Sequence, residues 1–210
     1  MSIRAVAFDL GETLVDETRY WGAWADRLGV PHLTLFALLG AAIARGEHHR
    51  SVLERFGVRN LDDEAAPTFS SHDLYSDARP VLTALHEGGA KTAVAGNFSE
   101  RIAASVRSWE LDVDAVISTD ALGAEKPDGR FFLGLAERLE VRPPELLYVG
   151  DRVDNDATAA VAAGCRSVQV RRGPWAFIQS PAGAGAADLW SAVGSAVDIS
   201  RFPGGNDGRM

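Results

Sequence analysis

The chain has 210 residues, 46% hydrophobic and 24% charged, enough to bury a core unaided and too evenly balanced for a disordered or fibrous chain. Its 29 acidic and 21 basic side chains give a net charge of −8, which disfavours broad nucleic-acid or anionic-membrane binding, since both need a basic surface. The lone Cys165 excludes an internal disulfide, the longest apolar segment (Leu33–Ala44) is too short for a membrane span, and the N-terminal apolar stretch ends at Asp9, so a cytoplasmic protein is expected.

In chain order, the first apolar run, Arg4–Phe8, reads as a buried strand ending at Asp9. Residues 16–76 follow without a convincing strand. They carry helical patterns at Thr18–Leu28, Leu33–Ala44 and His48–Phe56, punctuated by Gly29, Pro31, Gly46 and Gly57. A structureless loop of that length is improbable, so we expect a small helical insertion. From Pro80 the chain alternates. Helical patterns at Pro80–Glu87, Glu100–Trp109, Gly129–Leu139 and Asp156–Ala163 interleave with strand-like runs at Lys91–Ala95, Asp114–Ile117, Leu146–Val149 and Ser167–Val170. Such alternation predicts βαβ units in a doubly wound parallel sheet, an α/β Rossmann-like core. Beyond residue 172 the pattern weakens. Pro181–Ala187 is Gly/Ala-rich, a helix is expected over Leu189–Val197, and 201–210 reads as a frayed tail. The expected division is a core of 1–15 and 77–200 with a helical cap of 16–76.

Sites in open parallel sheets form beyond the carboxyl ends of the strands. The residues there are polar: Asp9 and the Leu10-Gly11-Glu12-Thr13 loop, Gly96-Asn97, Glu125-Lys126-Pro127-Asp128, and Gly150-Asp151 followed by Asp154, Asn155 and Asp156. Converging Asp9, Asp151 and Asp156 would repel one another without a cation. An all-oxygen set of this kind suits Mg²⁺, and a lysine beside it can neutralise a further anion. The chemistry this permits is attack by an Asp carboxylate on phosphorus. Asp154 reads as a capping or solvated residue, and Arg152, next to Asp151, as paired with a carboxylate, with a substrate contact as the alternative. His48-His49 reads as surface, since adjacent helical residues diverge. Trp21 and Trp24 read as packing, and Arg45, Arg50 and Arg55 as solvated.

Phe8-Asp9-Leu10-Gly11-Glu12-Thr13-Leu14, Gly96-Asn97, Lys126-Pro127 and Gly150-Asp151 through Asp156 resemble, in order, the four motifs of the haloacid dehalogenase-like (HAD) hydrolases. The resemblance runs from residue 4 to about 172 and implies a HAD-like core with a C1-type helical cap. It implies Asp9 as nucleophile, and Mg²⁺ on Asp9, Asp151 and the Gly11 carbonyl, with Asp156 as a further ligand or the support of one. Lys126 is expected on the phosphoryl oxygens, and Gly96-Asn97 near the substrate. The expected activity is hydrolysis of a small phosphorylated metabolite through an aspartyl-phosphate.

Two positions depart from that pattern. The family's phosphatases usually carry an acid/base Asp two residues after the nucleophile, where this chain has Gly11, and Ser or Thr before the Asn, where it has Gly96. A positioned acid/base is worth about 10²–10⁴-fold. The sequence leaves open whether Glu12 or Glu17 takes the role, with Glu12 turned elsewhere if its loop is extended, or whether the substrate has a good leaving group. It also leaves open a catalytically silent binding or regulatory protein and a haloacid dehalogenase. The substrate and the oligomeric state are not specified.

Overall fold

A computed structural model describes residues 2–60, 66–181 and 183–194. Five parallel strands form one sheet: β1 (Ala5–Phe8), β2 (Lys91–Ala95), β3 (Ala115–Ile117), β4 (Leu146–Gly150) and β5 (Arg166–Gln169), in the order β3-β2-β1-β4-β5. Each lies within a residue or so of its expected place. The central β1 pairs with β2 on one side and β4 on the other, Phe8 lying opposite both Val94 and Val149. The chain winds from β1 out to β3, then returns across β1 to β4. The switch point therefore lies at the carboxyl end of β1, where Asp9 emerges.

The period of two in the strands separates two cores. Val6, Phe8, Val94, Leu147 and Val149 face one side, under α4 (Ala78–Glu87), α5 (Glu100–Arg107) and a later helix at Leu189–Gly194. Ala5, Ala7, Ala93 and Ala95 face the other, where α6 (Thr119–Leu122) lies beside α7 (Gly129–Arg138). The small alanines leave room there for Phe131, Phe132 and Tyr148, whose rings meet edge to face at 5.1–6.2 Å. A single wide π-type turn at Val153–Ala157 precedes α8 (Thr158–Ala162), where one continuous helix was expected. Such turns are frequent at functional sites.

Between β1 and β2 lie α1 (Thr18–Leu28), α2 (His32–Ala44) and α3 (Arg50–Glu54), the last shorter than its pattern predicts. Their apolar faces, with Trp21, Trp24, Leu35, Leu39 and Val52, form a third cluster. Trp175 joins that cluster from α9 (Gly173–Gln179), which follows β5 and was not foreseen. The weak periodicity after residue 172 hid this helix; its contact with α2 stabilises it. The last described helix, α10, ends at Gly194; the remainder of the expected Leu189–Val197 helix and the expected frayed tail lie outside the described residues. No single helix among the described residues is long and apolar enough to cross a membrane.

Candidate active site

The four loops converge at the carboxyl end of the sheet. Asp9 and Asp151 directly follow β1 and β4, and Asp156 sits within the π-type turn. One carboxylate oxygen from each of Asp9, Asp151 and Asp156 lies within 4.8 Å of the other two. Lys126 Nζ stands 3.0 Å from Asp9 Oδ1 and 2.6 Å from Asp156 Oδ1. The lysine is buried, its ammonium 5.1 Å from the centre of the Tyr148 ring. Burial alone would lower its pKa, but the carboxylates of Asp156 and Asp9 outweigh that and hold it above the ordinary lysine value.

The two acids behind Asp9 differ in how they are satisfied. Asp156 accepts from Lys126 through Oδ1 and from the Arg152 backbone N–H, at 3.0 Å, through Oδ2. It does not serve as a helix cap. Asp151 Oδ2 is buried without a hydrogen-bond partner. Burial pushes the Asp151 carboxyl well above the carboxylate range, and the charges of Asp156 and Asp9 push it further. A buried, unpartnered carboxylate oxygen beside two other acids is the environment a hard divalent cation relieves, so these residues fit Mg²⁺.

Gly96 lies against the Asp9 carboxylate, and Asn97 stands in the cavity wall beside the lysine loop. A Cβ at Gly96 would collide with Asp9 Oδ1 and press the Phe98 ring at 3.2 Å, so the glycine makes room for the Asp9 carboxylate. Asn97 donates through Nδ2 to the Lys126 carbonyl (2.8 Å) and accepts from the Lys126 N–H at Oδ1 (2.7 Å). Its amide pins the lysine loop instead of capping α5.

Above the acids lies a cavity of about 430 Å³ shared by the sheet loops and the helical segment, with Trp21, His49, Phe69, Phe98 and Trp175 in its wall. The placement of His49 corrects the surface reading. His49 meets Trp21 and Trp175 edge-on at 6.0 and 5.8 Å, and burial pushes its pKa down to about 3, helped by His48, Arg152 and Arg50. Arg152 pairs with a carboxylate as expected, that of Asp154 at 2.8 Å, and lies over Trp175. Arg45 and Arg55 pair with Glu47, whereas Arg50 lines the cavity.

Residues 3–164 match the haloacid dehalogenase-like hydrolase family. The chain belongs to that family. It is 32% identical to a phosphoglycolate phosphatase of Nitrosospira multiformis over 191 residues, 78% of this chain and 81% of that one. It is 34% identical to a glyceraldehyde 3-phosphate phosphatase of Methanopyrus kandleri over 147 residues, 61% of this chain and 60% of that protein's length. A solved L-2-haloacid dehalogenase of Xanthobacter autotrophicus, with chloropropionic acid covalently bound, shares the fold at a TM-score of 0.60 and 21% identity, covering 84% of this chain and 81% of that one.

The first loop of this HAD-like hydrolase is not extended. Leu14 and Val15 both donate to the Leu10 carbonyl, closing a tight turn in which Glu12 adopts a left-handed φ of 51°. Glu12 is turned away from the cavity. Its carboxylate accepts from Tyr75 Oη at 2.6 Å and from the Glu17 N–H at 3.3 Å, and its carbons pack on Gly173. Glu17 faces inward. It is the residue before α1, half-buried in the cavity wall, and accepts at Oε2 from Trp21 Nε1 at 2.8 Å. Burial pushes Glu17 up to about 8, the charges of Glu12 and Asp9 adding to it and the Trp21 bond opposing. The sequence offers Glu12 and Glu17 together, setting Glu12 aside only if its loop is extended. The four-residue spacing of Glu17 and Trp21, which share a helix face, is the signal that separates them.

Proposed function

We propose that this hydrolase is a Mg²⁺-dependent phosphatase acting on a small phosphorylated metabolite through a phosphoryl group carried on Asp9. The observation that carries the reading is Asp9 Oδ1 held 3.0 Å from the buried Lys126 ammonium at the floor of the cavity. The relatives named for phosphatase activity on two- and three-carbon phosphates support the substrate class. A carboxylate oxygen of Asp9 attacks phosphorus, the bond to the leaving oxygen breaks, and water then attacks the phosphorus of the aspartyl-phosphate, releasing phosphate and restoring the carboxylate. Lys126 neutralises the phosphoryl oxygens as charge builds on them. Asp9, Asp151 and the Gly11 carbonyl would hold Mg²⁺, with Asp156 as a ligand or behind one; when bound, the ion supplies the positive charge that lets an anionic nucleophile meet an anionic ester. The helical segment of 16–76 serves as the cap, closing the cavity and excluding water.

Two rivals give different outcomes. A dehalogenase would release chloride from 2-chloropropionate regardless of chelator. A silent binding protein would remain folded and release nothing. The test measures phosphate release from 2-phosphoglycolate, glyceraldehyde 3-phosphate and p-nitrophenyl phosphate, with Mg²⁺ and with chelator. Turnover that needs Mg²⁺ and vanishes in Asp9→Asn is expected. Turnover retained in Asp9→Asn, or none from folded protein with any ester, overturns the reading.

A further inference from the structure

The site described so far attacks phosphorus but offers the leaving oxygen no proton. An alkoxide is a poor leaving group, and a positioned carboxyl that protonates it contributes about 10²–10⁴-fold. The loop that carries Asp9 has glycine two residues on, so the donor must come from elsewhere in the chain. The space beside that glycine is filled. A Cβ built at Gly11 would overlap Glu17 Oε1 and lie 2.9 Å from Glu17 Cδ and 3.6 Å from its Cγ.

We propose that Glu17 is the proton-transfer residue of this hydrolase, its carboxyl occupying the space that a side chain at position 11 would fill. Its two oxygens have separate tasks. Oε2 is held by the Trp21 indole N–H at 2.8 Å, which fixes the side chain, and Oε1 lies against Gly11 in the wall of the cavity whose floor holds Asp9 and Lys126. Of the other acids around the cavity, Asp151 belongs to the acidic group that fits a cation and Glu125 lies beside Lys126 on the lysine loop, and four more are held by partners. Glu12 is bound by Tyr75 outside the cavity, Asp156 by Lys126 and the Arg152 N–H, Glu47 by Arg45 and Arg55, and Asp154 by Arg152.

In the first half-reaction the Glu17 carboxyl gives its proton to the leaving oxygen as that oxygen takes the electron pair of the broken P–O bond. In the second, the Glu17 carboxylate takes a proton from the attacking water as its oxygen bonds to phosphorus and Asp9 departs with the other pair. Each cycle returns both side chains to their starting state. Because Glu17 immediately precedes α1, the proton carrier belongs to the base of the helical segment and not to the loop of the nucleophile.

This role rests on the phosphatase reading, and leaving-group dependence separates the two. In Glu17→Gln, which keeps an acceptor for Trp21, kcat/KM on 2-phosphoglycolate, which reports the leaving-group step apart from the water attack common to both esters, should fall about 10²–10⁴-fold. On p-nitrophenyl phosphate, whose phenolate departs without a proton, the loss should be under about tenfold by the same principle. Gly11→Asp alone should lose activity, because the new side chain meets Glu17. Gly11→Asp combined with Glu17→Ala should recover at least about tenfold over Glu17→Ala alone as a positioned carboxyl returns. Thermal melting establishes that each variant is folded. Equal losses on the two esters, or a folded double variant without recovery, overturn the role of Glu17 while the phosphatase reading stands. A wild-type protein that turns over neither ester overturns both.

Discussion

The strand-end loops and the helical segment contribute to one cavity by different means. The loops bring Asp9, Asp151, Asp156 and Lys126 together, Lys126 bridging Asp9 and Asp156, in a cluster fixed by the parallel sheet and by the Asn97 amide on the Lys126 backbone. The helical segment adds Glu17, Trp21 and His49 on a separate apolar cluster that Trp175 of α9 completes. On our proposal the loops hold the charges that meet a phosphoryl group, and the segment surrounds the remainder of the substrate and supplies the proton. On that reading the charges of phosphoryl transfer depend on the sheet, whereas the proton and the substrate contacts depend on the helices packed beside it.

Substitutions should follow that division. The largest effect is expected at the nucleophile: Asp9→Asn should lower kcat by about 10⁴-fold or more, measured by phosphate release from protein of unchanged circular dichroism. Gly96→Ala comes next. Its methyl would displace the Asp9 carboxylate, and a misplacement near 1 Å costs about 10²-fold in kcat, read from steady-state kinetics. Lys126→Met tests the loops for stability as well as rate. It removes the cation shared by Asp9 and the buried Asp156 and should cost about 3–5 kcal/mol in chemical denaturation, the loss shrinking when Mg²⁺ is added.

At the aromatic wall of the cavity, His49 and Trp175, the effects should be smaller, and at His49 they depend on pH. The folded protein holds His49 neutral down to about pH 3, whereas the unfolded chain takes up that proton near 6.5. The unfolded state therefore binds more protons across that window, and stability falls as pH drops through it, with no contribution from this group above 6.5. His49→Phe should show a shallower acid loss in denaturant titrations over that range. An unchanged slope would place His49 outside the buried wall. Trp175→Ala should raise KM with little change in kcat, measured on the ester that the wild type hydrolyses best. An equal fall in kcat would erase the distinction between the two regions.

The sheet and the loop acids were legible in the amino-acid sequence because both depend on local patterns. Apolar runs ending at Asp9, Gly96 and Asp151 mark strands and their carboxyl ends, and parallel topology places those ends together without further information. The helical wall was less legible. Its side chains are placed by contacts between segments distant in sequence: Trp175 reaches His49, and Tyr75 takes Glu12 out of contention. Gly11 shows the contrast within one residue. As a letter it reads as a lost acid/base, whereas in three dimensions it is the space that receives Glu17.

The account turns on a phosphoryl group bound to Asp9, and rapid acid quenching of the protein with 2-phosphoglycolate and Mg²⁺, followed by peptide mass spectrometry, observes it directly. The expected result is the added mass of one phosphoryl group on the peptide carrying Asp9, present at early times and absent in Asp9→Asn. Turnover without a phosphorylated peptide, or with the phosphoryl group on another residue, would contradict the account.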